Sequence, residues 1–178
     1  DEAGLDALVL RSGQNFTYLS GVVYPGTLAR HMDLTDSTRP VILIWPRNGK
    51  PMILANKTAA GLVERDGWID DMVLYEAYVD SPQEKLGELL GKMGLASAKV
   101  GFERDYWSVQ HWETVQKALP RLAMTDCTAL MDRVRWIKTD AEVALIRKGA
   151  DLLDDAYLEA FSRIRPGDTE RKVHADLI

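Results

Sequence analysis

Thr139, followed three residues later by Glu142, opens the longest unbroken pattern in the chain. The threonine hydroxyl can accept an orphan N–H of a first helical turn while the glutamate reaches back to the cap, so the spacing predicts a helix from Thr139. Val143, Ile146, Ala150, Leu153, Tyr157, Ala160 and Ile164 then recur at steps of three and four. That spacing places them on one stripe of the helix, opposite a charged face. At roughly 1.5 Å per residue such a helix is about 40 Å long. Arg165-Pro166-Gly167-Asp168 breaks the pattern, and a second helix is expected to open near Asp168 or Thr169 with Glu170 in its first turn. Periodicity alone describes a helical hairpin.

Upstream, strands and helices alternate. Leu5 to Leu10 reads as a buried strand, Gln14 to Gly21 as a turn or one-turn helix, and Val22 to Tyr24 as the start of a second strand stopped by Pro25-Gly26. The stretch up to Pro40 follows neither period, and irregular segments of that length tend to carry function. Val41 to Trp45 is the clearest strand. The turn Arg47-Asn48-Gly49-Lys50 folds it back onto Pro51 to Leu54 as an antiparallel hairpin. A helix from Lys57 to Asp66, capped by Asn56 and stopped by Gly67, precedes a strand at Met72 to Tyr75. Ser81-Pro82 opens a helix with Leu86, Leu89, Leu90 and Met93 on one side, ended by Gly94. A strand at Lys99 to Phe102 and a helix from Ser108 to Leu119 follow. This alternation predicts an α/β domain, a mixed β-sheet flanked by helices. The hand-over to the long helix is expected around Asp126 to Arg133.

The balance of 46% apolar and 28% charged residues excludes a disordered tail. A net charge of −5, with no basic run longer than two residues, argues against nucleic acid as a partner. No apolar run approaches a membrane span and no signal-peptide pattern opens the chain, so no membrane association is expected. Cys127 is the single cysteine and cannot form an internal disulfide, which fits a reducing, cytoplasmic setting. The first residue is Asp, and Asp1-Glu2-Ala3-Gly4 reads like the last turn of a helix. The other end breaks off inside an amphipathic pattern, so both ends are expected to be cut.

Few residues offer chemistry. His31, Asp33 and Asp36 could bring an imidazole and two carboxylates to a divalent metal, or could form a solvated loop with Asx-type turns. Asp154 and Asp155 are neighbours on a helix, point about 100° apart and cannot share a site; like Asp70 and Asp71 they read as solvated. His111 and His174 have no matching partner, and Cys127 reads as a buried structural thiol. The five tryptophans read as core or interface anchors. No dinucleotide, phosphate-loop, His-Glu-x-x-His or Gly-x-Ser-x-Gly motif occurs, and no complete active site.

The residue detail adds a resemblance. Arg135-x-Ile137-Lys138-Thr139, Glu142 with Ile146-Arg147 and Ala150, then Ile164-Arg165-Pro166-Gly167-Asp168-Thr169-Glu170 closed by Val173, resembles the entry to the catalytic domain of the creatinase, prolidase and aminopeptidase P family. Asn15, Tyr18, Leu19, Ser20 and Gly21 match the Asn-x-x-Tyr-Leu-[Ser/Thr]-Gly turn of that family's amino-terminal domain. The resemblance implies a ribonuclease H-like amino-terminal domain over residues 1–130, followed over 131–178 by the first helices of a truncated pita-bread α+β domain.

It further implies a cytoplasmic metal-dependent Xaa-Pro peptidase that acts on proline-containing peptides as a homodimer. Two divalent metal ions, often manganese in that family, are held there by two Asp, one His and two Glu. None of these five ligands, and no catalytic residue, falls on a residue of this chain, which by itself is expected to be inactive. In dimeric members the amino-terminal domain closes the neighbouring subunit's pocket. The loop after the second strand then offers Tyr24, Arg30 and His31 to substrate, with Arg30 suited to a carboxylate by its two-pronged geometry. The alternatives are creatinase-like hydrolysis of a small amidine, and a catalytically dead protein-binding module on the same fold.

Overall fold

The computed structural model describes residues 3–24 and 39–177, with side chains described to His174 and Ala175 at the carboxyl end. The chain divides into two compact units, 1–132 and 133–178.

In the first unit six strands form one sheet: β1 (Ala7–Arg11), β2 (Ile42–Pro46), β3 (Met52–Asn56), β4 (Met72–Tyr75), β5 (Lys99–Phe102) and β6 (Ala123–Asp126), in the order β4-β3-β2-β1-β5-β6. β2 pairs antiparallel with both β1 and β3, whereas β1–β5, β5–β6 and β3–β4 are parallel. Hence every strand of this sheet except β2 runs in one direction. The mixed sheet expected from the alternation is present. The hairpin forms around Asn48-Gly49 as its turn residues require, with Ile44 opposite Met52.

The period of two along the strands sorts the side chains onto the two faces. Ala7 and Val9 of β1, Ile42 and Ile44 of β2, Leu54 of β3, and Val100 and Phe102 of β5 pack with Leu86, Leu89 and Leu90 of α3 (Pro82–Lys92) and Val115 of α4 (Val109–Ala118). Leu10, Leu43, Ile53 and Ala55 point the other way. They meet Phe16 of α1 (Gln14–Ser20), Val63 of α2 (Ala60–Asp66), Cys127, and Met131 of α5 (Thr128–Trp136). The unit is therefore a sheet between two helical layers.

The Ser81 cap read from the sequence is made: Ser81 Oγ accepts from Glu84 N at 3.2 Å. Ser108, expected as the first residue of a helix, caps it instead, its Oγ accepting from His111 N at 3.3 Å. Asn56 opens a short 3₁₀ turn, Lys57–Ala59, that leads into α2. Two stretches differ from expectation. Val22 to Tyr24 is not a strand: Val22 N donates to Ser20 Oγ at 3.1 Å, and Val22 O accepts from Thr17 Oγ1 at 2.9 Å, so side chains occupy the groups a ladder would use. Just before it Gly21 closes α1 at φ +78°, a left-handed conformation suited to glycine. Second, β6 and α5 occupy 123–126 and 128–136, whereas the sequence reading named no element there and expected a hand-over around Asp126 to Arg133.

The second unit holds α6 (Asp140–Arg163) and α7 (Glu170–Leu177). The capping box is complete: Glu142 N donates to Thr139 Oγ1 at 3.3 Å, and Thr139 N donates to Glu142 Oε2 at 2.7 Å. In the turn before α7, Arg165 N donates to Asp168 Oδ2 at 2.8 Å, and Lys172 N to Thr169 Oγ1 at 3.3 Å. Hydrogen bonding to Lys172 and to the Arg165 backbone holds the Asp168 carboxyl below its ordinary range. The α6 face opposite the stripe is not wholly charged. At about 100° per residue, Leu145 and Leu152 lie roughly a third of a turn away from the stripe.

Candidate functional site

Because five strands of the sheet share one direction, their carboxyl ends share one edge. Open α/β sheets commonly place ligands there. Here that edge collects Arg11 at the end of β1, Asn56 at the end of β3, Tyr75 at the end of β4, Glu103 just after β5 and Asp126 at the end of β6. Arg11, Asn56 and Glu103 are buried polar residues in strands or strand ends that are otherwise apolar. Burial of such groups has to be offset by hydrogen bonds.

Those bonds are specific. Arg11 Nη1 donates to Tyr106 O at 2.6 Å, and the guanidinium lies 5.8 Å from the centre of the Trp107 ring. Asn15, the first residue of the Asn-x-x-Tyr-Leu-Ser-Gly turn, donates from Nδ2 to Glu103 Oε1 at 2.6 Å. Behind Glu103, Cys127 is buried. Burial first, then the charges of Glu103 and Asp126, push its thiol up to about 12, so it stays protonated and inert at neutral pH.

Further along the edge, Asn56 joins the two sides of the irregular segment. Its Nδ2 donates to Tyr24 Oη at 3.3 Å and to Arg39 O at 3.2 Å. Tyr75 Oη donates to the neighbouring Pro40 O at 2.7 Å. Burial pushes the Tyr75 phenol above its ordinary range and the adjacent Tyr24 adds to this, while Asn56, Arg11 and Arg39 offset only part.

Beside β5 and β6 a cleft of about 350 Å³ is lined by Trp107, Val109, Trp112 and Met124, with Arg104 and Asp126. Burial raises the Asp126 carboxyl, but hydrogen bonds from Thr128 N, Thr128 Oγ1 and Arg104 N outweigh it and leave the group below its ordinary range.

Of the substrate-facing residues expected from the sequence, Tyr24 lies half-buried at this edge, against Asn56. Arg30 and His31, and with them Asp33 and Asp36, lie outside the described residues. Among the described residues no three His, Cys, Asp or Glu side chains gather as a metal site requires. Nor is any described helix long and apolar enough to cross a membrane. Sequence reasoning missed Arg11, Glu103 and Tyr75, and read Asn56 only as a cap. The available signal was a polar residue ending each apolar strand.

The residue 1–137 segment matches the family model described as the Creatinase/Prolidase N-terminal domain. The chain belongs to the creatinase/prolidase family. Among relatives of this family, the hydrolase/peptidase y4tL of Sinorhizobium fredii is 28% identical, the alignment covering 97% of this chain and 44% of that protein. A creatinase of a Bacillus species is 26% identical, over 97% of this chain and 39% of that protein. Among solved structures, the prolidase of Thermococcus sibiricus superposes with a TM-score of 0.75 at 19% identity, covering 99% of this chain and 44% of that one. The last comparison shows the fold, a mixed sheet with flanking helices like that of prolidase amino-terminal domains. The chain spans less than half the length of these relatives.

Proposed function

We propose that this chain is the amino-terminal part of a metal-dependent Xaa-Pro peptidase, with residues 1–130 as its amino-terminal domain and 131–178 as the start of its pita-bread catalytic domain. Membership of the creatinase/prolidase family carries the reading. In this proposal the protein is a cytoplasmic homodimer, and the domain closes the partner subunit's pocket over a proline-containing peptide.

The described residues of this chain do not fit a metal centre. The two divalent ions, manganese in this proposal, and their five ligands would belong to the rest of the protein. No catalytic step is therefore assigned to a residue here. The role left to this chain is binding. Tyr24 offers a phenol at the carboxyl edge of the sheet, held by Asn56, and Arg30 and His31 complete the substrate-facing set. Arg30 supplies a two-pronged donor for a substrate carboxylate.

The test is hydrolysis of a panel of Xaa-Pro dipeptides by the full-length protein, with and without manganese, beside the 178-residue chain. Metal-dependent cleavage by the full-length protein and none by the chain is expected. The 26% identity to a creatinase makes creatine the second substrate to include, and metal-independent turnover of creatine would replace the peptidase reading. A full-length protein inert toward both would make the fold a protein-binding module.

A further inference from the structure

The amide of Asn56 is fully buried, and its orientation is fixed by the residues that follow it. Oδ1 must face the 3₁₀ turn, because it accepts from Ala59 N at 3.1 Å and from the Thr58 hydroxyl. An asparagine has two acceptor positions on oxygen and two N–H donors on nitrogen. With the oxygen committed to the cap, the nitrogen must face the other way. Both its protons are used, one on Tyr24 Oη at 3.3 Å and the other on Arg39 O at 3.2 Å.

This fixes the direction of the bond to Tyr24. The phenol oxygen accepts, so its own proton is left to be donated elsewhere. A tyrosine oxygen that accepts a hydrogen bond is also a better donor, because bonds in a chain polarise one another. The ring itself packs against the core that contains Val22, Val41 and Ile53, which limits how the hydroxyl can turn.

From this geometry we infer that Asn56 is a positioning residue: it holds Tyr24 as a hydrogen-bond donor toward a carboxylate or carbonyl oxygen of the substrate. The inference rests on the peptidase reading and on Tyr24 facing substrate. It adds a residue that touches no substrate and that the sequence shows only as a helix cap. Arg39 O, held by the second N–H, keeps the far side of the irregular segment at the same amide.

The test is a double-mutant cycle in the full-length protein, with kcat and KM measured for Ala-Pro and thermal melting measured for each variant. Tyr24→Phe removes the donated proton and is expected to raise KM roughly 3- to 10-fold with little change in kcat, the loss of one hydrogen bond made equally in ground and transition states. Asn56→Asp keeps Oδ1 on the cap but replaces the donor by an acceptor. The Tyr24 proton then turns inward, and KM is expected to rise as far as in Tyr24→Phe. In the double variant KM should rise no further.

Asn56→Ser keeps a capping oxygen and removes both N–H donors; it carries the same comparison if Asn56→Asp does not fold. A wild-type KM in the Asn56 variants while Tyr24→Phe is impaired would overturn the inference and leave the Tyr24 contact standing. Effects that multiply in the double variant would overturn it equally. An unchanged KM in Tyr24→Phe would remove Tyr24 from the substrate site, and the inference with it. A wild-type protein that does not cleave Ala-Pro would overturn the peptidase reading itself.

Discussion

Asn15 Nδ2 donates to Glu103 Oε1 at 2.6 Å, joining the first helix of the chain to the residue that follows β5, 88 positions away. Both side chains are buried. Glu103→Ala is expected to cost about 1–3 kcal/mol, because it removes the acceptor of a buried amide donor. Glu103→Gln keeps an acceptor oxygen and should cost less. Urea melts of the chain would check the order; equal losses would mean that the Asn15 bond contributes nothing beyond the volume of the side chain.

The Glu103 charge also acts on Cys127, which gives a pH dependence with a definite sign. The thiol has a reference value of 9.0 and is pushed up to about 12 in the folded chain. Below pH 9 both states hold the proton and the contribution is fully present. Above it the unfolded chain ionises first, so the contribution is lost progressively up to about pH 12. The buried Tyr75 phenol, also raised, acts in the same direction. The melting temperature should fall between pH 9 and 11, and the fall should be shallower in Cys127→Ala, each measured relative to its own value at pH 8. A thiol reagent at pH 8 should leave the native chain unlabelled. Rapid labelling without unfolding would contradict the burial of Cys127.

Gly101 lies at the centre of β5, where a Cβ would stand 2.8 Å from Cys127 Cβ, 2.8 Å from Leu5 Cδ1 and 3.0 Å from Leu8 Cδ2. The layer formed by α5 comes this close only because no side chain is there. Gly101→Ala should destabilise by about 1–3 kcal/mol, the usual cost of overpacking a filled core. Chemical denaturation measures it. A neutral result would show that α5 moves away freely.

How much of this could be read in advance depended on whether the controlling interaction was local. The Asn48-Gly49 hairpin, the Ser81 cap and the Thr139–Glu142 box each depend on residues within four positions of one another, and each was legible. β6 was not. Ala123–Asp126 is an edge strand with no fully buried residue, so it lacks the apolar alternation that marks a strand. Val22 to Tyr24 has strand-like residues, but Ser20 and Thr17 side chains take its backbone groups, a competition invisible to periodicity. At the candidate site, Tyr24 was singled out only through the family resemblance, and the structure adds its place beside Asn56. Its hold on Asn56, and the Asn15–Glu103 bond, depend on which strand ends the topology brings to one edge.

The Thr139–Glu142 box permits a small, local prediction. Thr139→Ala removes the hydroxyl that accepts Glu142 N, and should cost about 1 kcal/mol of α6 stability. Glu142→Ala removes the reciprocal bond to Thr139 N, and the two losses should be less than additive because both belong to one cap. Hydrogen exchange of the first-turn amides reads this directly: faster exchange at 140–143, with no change in α3, is expected. Additive losses would show two independent contacts.

The apolar stripe of α6 is largely open in the 178-residue chain, with Ile146 at 59%, Leu153 at 55% and Tyr157 at 42% exposed. Burying apolar surface yields about 25 cal/mol per Å², so a face of this extent favours association in water. The chain should self-associate in a concentration-dependent way. Ile146→Lys with Leu153→Lys should shift it toward monomer in sedimentation velocity, without altering the sheet-bearing unit. Leu145→Lys with Leu152→Lys, a third of a turn away, serves as the control for added charge. An equal shift from both pairs would mean that net charge, and not the stripe, governs association, and a wild-type chain monomeric at every concentration would remove the stripe as a contact surface.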